Sequence, residues 1–234
     1  MSLLNPRTKI PGKYQPKGFF ILYEDDDIIV GEKQPGILTV SAAWDKGQNV
    51  YYNLNAYVRK GNRRSHKCVF VVHRLDQHTS GLLIFAKNEH AQIRLKDDWR
   101  NTKKIYYAVV HGRLAQKSGI FESHLVEDDD YVMRSVPDST EGKFARTSYA
   151  VVKETARFSM VKVDLLTGRK NQIRVHFAEN GHPLVGDAKY GRADTRFSRL
   201  ALHSQSISFT HPISGERIAF ETNIPAYLLD LVGA

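Results

Sequence analysis

The stretch His73–Lys87, HRLDQHTSGLLIFAK, limits what this chain can build more than any other, because it sets one carboxylate, Asp76, in a polar turn with Arg74 two positions before it. Val69 to Val72 upstream is β-branched and aromatic, and Leu82 to Ala86 downstream is apolar, so the turn is expected to join two buried strands. A lone Asp in a polar turn is ordinarily an Asx-turn or a helix cap. Between buried strands and beside a guanidinium, the same carboxylate suits a nucleophile or base that works next to a polyanion. Thr79, Ser80 and Gly81 are expected to shape the turn, with His73 and His78 as hydrogen-bonding supports.

The formal net charge of +9 over 234 residues asks for an acidic partner, and nucleic acid is the commonest one. The charge is concentrated. No acidic residue precedes Glu24, whereas Arg7, Lys9, Lys13 and Lys17 are basic, and Arg59, Lys60, Arg63, Arg64 and Lys67 fall within nine positions. Residues 1–18, rich in Pro and basic side chains, read as an extended arm, and 19–234 as one domain whose 41% hydrophobic content suffices for a core. The single cysteine, Cys68, rules out an internal disulfide, and the apolar run behind it predicts a buried thiol. No apolar run approaches the roughly 20 residues of a membrane span, and the N-terminus lacks a secretory core. The expected setting is cytoplasmic and the expected state a monomer, with no membrane contact.

Phe19–Tyr23 and Ile28–Glu32 read as strands around an acidic turn, with Gln34-Pro35-Gly36 as a second turn. Val50, Leu54 and Val58 at four-residue spacing predict a helix over Val50–Arg59 stopped by Gly61, and Asn88 is placed to cap another running to about Arg100. Ile105–His111 reads as a strand, Phe144–Val152 and Phe158–Leu166 as a hairpin, Glu127–Asp130 as a solvated turn, Ile173–Asn180 as a helix ended by Gly181, and Leu200–Phe209 as a strand. Strands and helices mingle without regular βαβ alternation, which argues for an α+β fold.

Four blocks carry a family resemblance. His73–Lys87 resembles the HRLDxxTSGLLLxAK motif of the pseudouridine synthases of the RluA type. Lys104–Gly112, KIYYAVVHG, is similar to that family's KxYxAxVxG strand. Leu166–Gly191 is close to TGRxHQIRVHxAxxGHPIxGDxxYG, and Arg199–Glu216 to LHAxxLxFxHPxTGE. The resemblance implies a mixed, mostly antiparallel bisected sheet with flanking helices and a central basic cleft. It also implies the roles. Asp76 is the catalytic carboxylate and Arg174 its ion-pair partner across the cleft, while Tyr106 is the platform for the flipped uracil and a candidate for the last proton transfer. Tyr107 points to the other side of the strand. Arg74 enters the RNA stack in place of the extruded nucleotide, and Arg169 and Lys170 join Arg59, Lys60, Arg63 and Arg64 as phosphate contacts. Lys33-Gln34-Pro35-Gly36 departs from the family's Lys-Pro-x-Gly, and Asn171 stands where histidine is common.

The implied reaction turns uridine of transfer or ribosomal RNA into pseudouridine and adds nothing. No cofactor is expected, and the chain has no Walker loop, GxGxxG turn or metal-type His/Cys spacing. The rival reading is a catalytically idle RNA-binding or RNA-folding protein on the same scaffold, which would have no need of Asp76, Tyr106 and Arg174 together.

Overall fold

The computed structural model describes residues 2–3, 11–41, 49–62, 64–137, 141–191 and 196–233. In chain order these form β1 Ser2–Leu3, β2 Phe19–Glu24, β3 Ile28–Lys33, α1 Val50–Arg59, β4 Phe70–Val71, β5 Ser80–Ala86, α2 Glu89–Asp97, β6 Lys103–His111, β7 Ser118–Glu127, β8 Met133–Val136, β9 Lys143–Glu154, β10 Phe158–Leu165, α3 Gln172–Glu179, β11 Leu202–Thr210, β12 Arg217–Glu221 and α4 Ala226–Leu231. The class is α+β with mostly antiparallel strands and few helices, as expected. The chain divides into two compact units, Met1–Thr102 with Ser206–Thr222, and Lys103–Gln205 with Asn223–Ala234.

In the first unit β2, β3 and β5 pair antiparallel, and β12 joins the Ser206–Thr210 end of β11. β1 adds to β12 in parallel. Every residue of β5 is buried, which explains an apolar run without alternation. Leu82, Ile84 and Ala86 face a core with Ile28, Val30, Ile207, Phe209 and Phe220, closed by Ala91 and Leu95 of α2. The pleat turns Phe85 to the other face, where it meets Phe19 edge-on at 5.8 Å.

In the second unit the order is β6-β10-β9-β7-β8, all antiparallel. Helix α3 covers one face, where Phe177 packs on Phe121 and Tyr149 at 5.2 and 5.5 Å. Helix α4 seals another cluster with Leu228 and Val232 against Val109, Phe158, Met160 and Val185. Tyr106, Val163 and Tyr149 lie side by side across β6, β10 and β9, so Tyr106 stands on the face that α3 covers.

Three expectations need correction. The strand at Val69–Val72 shrinks to Phe70–Val71, both half-buried, paired with Ala86 and Phe85. It stops because the His73 ring takes over: its Nε2 accepts the Ile84 amide at 3.1 Å, where a longer strand would present a carbonyl. Cys68, expected buried, is half-exposed, since Val69 is the residue of that segment that reaches the core. The helix from Asn88 also ends earlier than Arg100, at Asp97, followed by a 3-10 turn over Trp99–Asn101.

Candidate active site

Asp76 is half-buried on its turn in the first unit, and exposed Arg74 precedes it. The backbone on both sides of Asp76 is pinned. Thr39 Oγ1 donates to the Leu75 carbonyl at 2.9 Å and accepts the Leu75 amide at 3.2 Å. Gly36 and Gln77 exchange two bonds: the Gly36 amide donates to the Gln77 carbonyl at 2.9 Å, and Gln77 Nε2 to the Gly36 carbonyl at 3.1 Å. The Thr79 amide closes the turn on the Asp76 carbonyl at 3.1 Å.

Beneath the turn lies Lys33, the last residue of β3 and fully buried. Its Nζ donates to the carbonyls of Gln34, Ile37 and Gln77 at 2.9, 2.8 and 2.9 Å, which is the full complement of an ammonium group. Burial pushes Lys33 down to about 7, and the charge of Asp76 pulls it back up. One buried cation therefore ties the 34–37 loop to the Asp76 turn and lies within electrostatic reach of the carboxylate. Sequence reading noted Lys33 only for the shifted proline beside it; a lysine ending the apolar strand IIVGEK was the available signal.

Tyr106 and Arg174 belong to the second unit. Tyr106 is 6% exposed on β6, and Tyr107 turns to the opposite face, as the strand period requires. Arg174, on α3, is gripped by Asp187 through two parallel bonds, Nε to Oδ2 and Nη2 to Oδ1, both 2.8 Å. The Tyr190 ring stacks under its guanidinium at 5.0 Å. Asp187 is itself aimed by the amides of Lys189 and Tyr190 at 2.9 and 3.0 Å. Burial raises its carboxyl, but the bonds from Arg174, Tyr190 and Lys189 outweigh that and hold it below the ordinary carboxylate range. Gly186 lets the turn before Asp187 run against the Arg199 backbone: its φ is +73°, and a Cβ there would sit 2.0 Å from the Arg199 carbonyl oxygen. Asp187 went unassigned in the sequence because it lies 13 residues beyond Arg174, in a loop.

Asn171 enters α3 in the left-handed region, φ 52°, which asparagine tolerates better than most side chains, and its Oδ1 accepts from the Tyr190 hydroxyl at 3.1 Å. Gln172 ties the loop before α3 to β9 by donating to the Arg146 carbonyl at 3.0 Å and to Thr147 Oγ1 at 2.8 Å. Buried His176 bridges Thr147 Oγ1 and Ser123 Oγ at 2.8 and 3.0 Å, and burial pushes it down to about 4. It is a hydrogen-bonding support between β9, β7 and α3.

The expected phosphate contacts lie at the surface. Arg59, Lys60, Arg64, Arg169 and Lys170 are exposed; Arg63 lies outside the described residues. Arg169 Nε donates to the Phe144 carbonyl at 2.9 Å, and Lys170 is ion-paired with Glu127, so each must be shared with or released to a phosphate. Asp25, Asp27 and His211 bring three ligand-type atoms within 4.8 Å. Their atoms are already used: His211 Nδ1 accepts the Ser214 amide at 3.1 Å, which leaves the proton on Nε2 for the 2.9 Å bond to Asp25. The cluster fastens β12's hairpin to the β2–β3 turn.

The sequence profile described as RNA pseudouridylate synthase matches residues 27–179, which include Asp76, Tyr106 and Arg174. The chain is 34% identical over 221 residues to the "Uncharacterized RNA pseudouridine synthase YjbO" of Bacillus subtilis strain 168, covering 93% of this chain and 77% of that one. It is 37% identical over 198 residues to the "Dual-specificity RNA pseudouridine synthase RluA" of Vibrio cholerae, covering 83% and 78%. Among solved structures, Human RNA Pseudouridylate Synthase Domain Containing 4 shares the fold, with TM-score 0.74 and 21% identity over 89% of this chain and 90% of that one. This chain belongs to the RNA pseudouridylate synthase family.

Proposed function

We infer that this chain isomerises uridine in RNA to pseudouridine, with Asp76 as the catalytic carboxylate. The C1′–N1 bond breaks, the base turns, and a C1′–C5 bond forms; the proton on C5 leaves and N1 gains one, so no redox carrier or phosphoryl donor is consumed. Attack on the anomeric carbon, attack on the ring and removal of a sugar proton all begin with an ionised carboxylate. Lys33 lies near enough to Asp76 to feel its charge. Arg174, oriented by Asp187, is the proposed second cation at Asp76. Tyr106 stacks on the extruded uracil and serves the C5 proton transfer. Arg74 fills the gap left in the RNA stack, and Arg59, Lys60, Arg63, Arg64, Arg169 and Lys170 neutralise phosphates.

The observation that supports this best is the turn itself: hydrogen bonds from the Thr39 hydroxyl, the Gly36 amide and the Lys33 Nζ converge on the backbone carbonyls of Leu75 and Gln77, the two neighbours of a single half-buried carboxylate. A merely solvated turn requires no such convergence. Residues 19–234 are proposed to act as one catalytic module with 1–18 as a basic arm, in a cytoplasmic monomer acting on transfer or ribosomal RNA. Among the described residues no helix is long and apolar enough to cross a membrane.

Asp76→Asn is expected to abolish pseudouridine formation in bulk cellular RNA while leaving RNA affinity within about tenfold, because phosphate contacts supply most of the binding. Conversion at the normal rate by that variant would remove Asp76 from the mechanism. Carbodiimide-dependent reverse-transcription stops, compared in cells with and without the gene, identify the target uridine.

A further inference from the structure

Helix α1 presents two unlike faces. Val50, Leu54, Asn55 and Val58 are buried, whereas Tyr52, Ala56, Arg59 and Lys60, at spacings of four, seven and eight, are all exposed. Tyr52 leaves 59% of its surface in solvent, so its ring adds little to the core. The helix, VYYNLNAYVR, carries no carboxylate. Glu24, which the Tyr57 hydroxyl reaches at 2.7 Å, is neutralised by Lys87 at 2.9 Å. At its end Lys60 adopts the left-handed conformation, φ 48°, and leads into a segment with exposed Arg64 and Lys67. At its start Asn53 Nδ2 holds the carbonyl of exposed Lys17 at 2.9 Å.

This face is also mechanically joined to the Asp76 turn within the same unit. The amides of Val50 and Tyr51 donate to the carbonyls of Leu38 and Thr39, both at 3.0 Å. Thr39 is the residue that grips the Leu75 backbone in both directions. A load on the first turn of α1 therefore bears on the residue before Asp76 through two hydrogen-bonded steps.

We propose that the outer stripe of α1, with Lys17, is a docking surface for an unpaired stretch of the substrate RNA, in which Tyr52 stacks on one base while Arg59 and Lys60, two turns along the helix, take phosphates further along the same strand. An exposed flat ring among cations supplies both things a single strand offers a partner, a π-face and a charged backbone. Stacking is indifferent to base identity, so the surface selects looped over fully paired RNA. The proposal rests on the reading of this chain as an RNA-modifying enzyme.

The test measures binding and turnover separately. Fluorescence anisotropy with a labelled RNA hairpin, performed in the Asp76→Asn background, is expected to show Tyr52→Ala binding about 5- to 100-fold more weakly, the range one base stack is worth, with Tyr52→Phe within twofold of the parent. A fully paired duplex is expected to bind both alike. With Asp76 present, Tyr52→Ala should raise KM and leave kcat at saturating RNA within twofold. Circular dichroism checks that the variants fold, which an exposed helical Tyr→Ala change permits. Equal hairpin binding by Tyr52→Ala and the parent, or equal weakening by Tyr52→Phe, overturns the proposal. If pseudouridine never forms but Tyr52→Ala still weakens hairpin binding, the surface stands and the catalytic reading falls; if Asp76→Asn alone has an effect, the reverse holds.

Discussion

In the first unit Asp76 rides on a turn, and the groups that fix it act on the backbone: Lys33, Thr39 and Gly36 bond to the carbonyls and amides of Leu75 and Gln77. In the second unit Tyr106 and Arg174 ride on β6 and α3, whose own ladders already fix the backbone, and the added restraint acts on a side chain, the fork between Arg174 and Asp187. A loop has no internal hydrogen-bond ladder, so its position must be imposed from outside. A helix or strand needs only its side chain aimed. The two units should therefore respond differently when their restraints are removed.

The largest break is expected from Lys33→Met, which keeps most of the apolar stem but removes the ammonium from the carbonyls of Gln34, Ile37 and Gln77, of which Gln77 retains the Gly36 amide. At about 1–3 kcal/mol for each of the two carbonyls left unsatisfied, a loss of about 2–6 kcal/mol is expected in urea unfolding, with turnover at low temperature falling at least about 100-fold. A near-normal melt with near-normal turnover would mean that the turn holds itself.

Asp187→Asn probes the other unit. It turns an amide toward the Arg174 fork and leaves a nearly buried guanidinium half-matched, a change worth about 3 kcal/mol in denaturant. If Asp187 positions Arg174 for the reaction, kcat falls about 30-fold or more with KM within threefold, and Asp187→Glu restores part of it. A KM effect alone would assign the pair to scaffolding.

Acid should weaken the second unit through His176 and His203, which burial pushes down to about 4, with Arg199 lowering His203 further. Both rings are neutral when folded and take up a proton near pH 6.5 when unfolded. Their stability is thus complete above pH 6.5 and is lost as the pH falls toward 4, by about 2 kcal/mol per histidine at pH 5. Urea midpoints at pH 7 and 5 measure it, and His176→Gln should flatten the difference. The smallest effect belongs to the surface: Arg59→Ala or Lys60→Ala should each lower the log–log salt slope of RNA affinity by about 1. An unchanged slope would separate these cations from the RNA.

Much of this was legible in the sequence. β2, β3, β5, α1 and the β9–β10 hairpin follow from apolar runs, period, turn residues and Gly61, because each buries at least one continuous face. The polar strand β7 was not legible: SGIFESHLVE owes its conformation to eight register pairs with β9 rather than to its own pattern. Cys68 and Val69–Val72 misled because apolar composition was taken for burial, whereas a histidine side chain ends that strand. Asp76, Tyr106 and Arg174 could be proposed from the sequence because contiguous motifs carry them. Lys33 and Asp187 could not, since their meaning lies in partners: Lys33 reaches Gln77, 44 residues away, and Asp187 reaches back 13 residues to Arg174.

By itself, then, the order of residues determined the family, the fold class and which side chains to propose for the reaction, because those depend on local pattern and short motifs. Only the tertiary structure decided what holds them, since a buried ammonium under a turn and a carboxylate behind a guanidinium are products of chain segments meeting after folding.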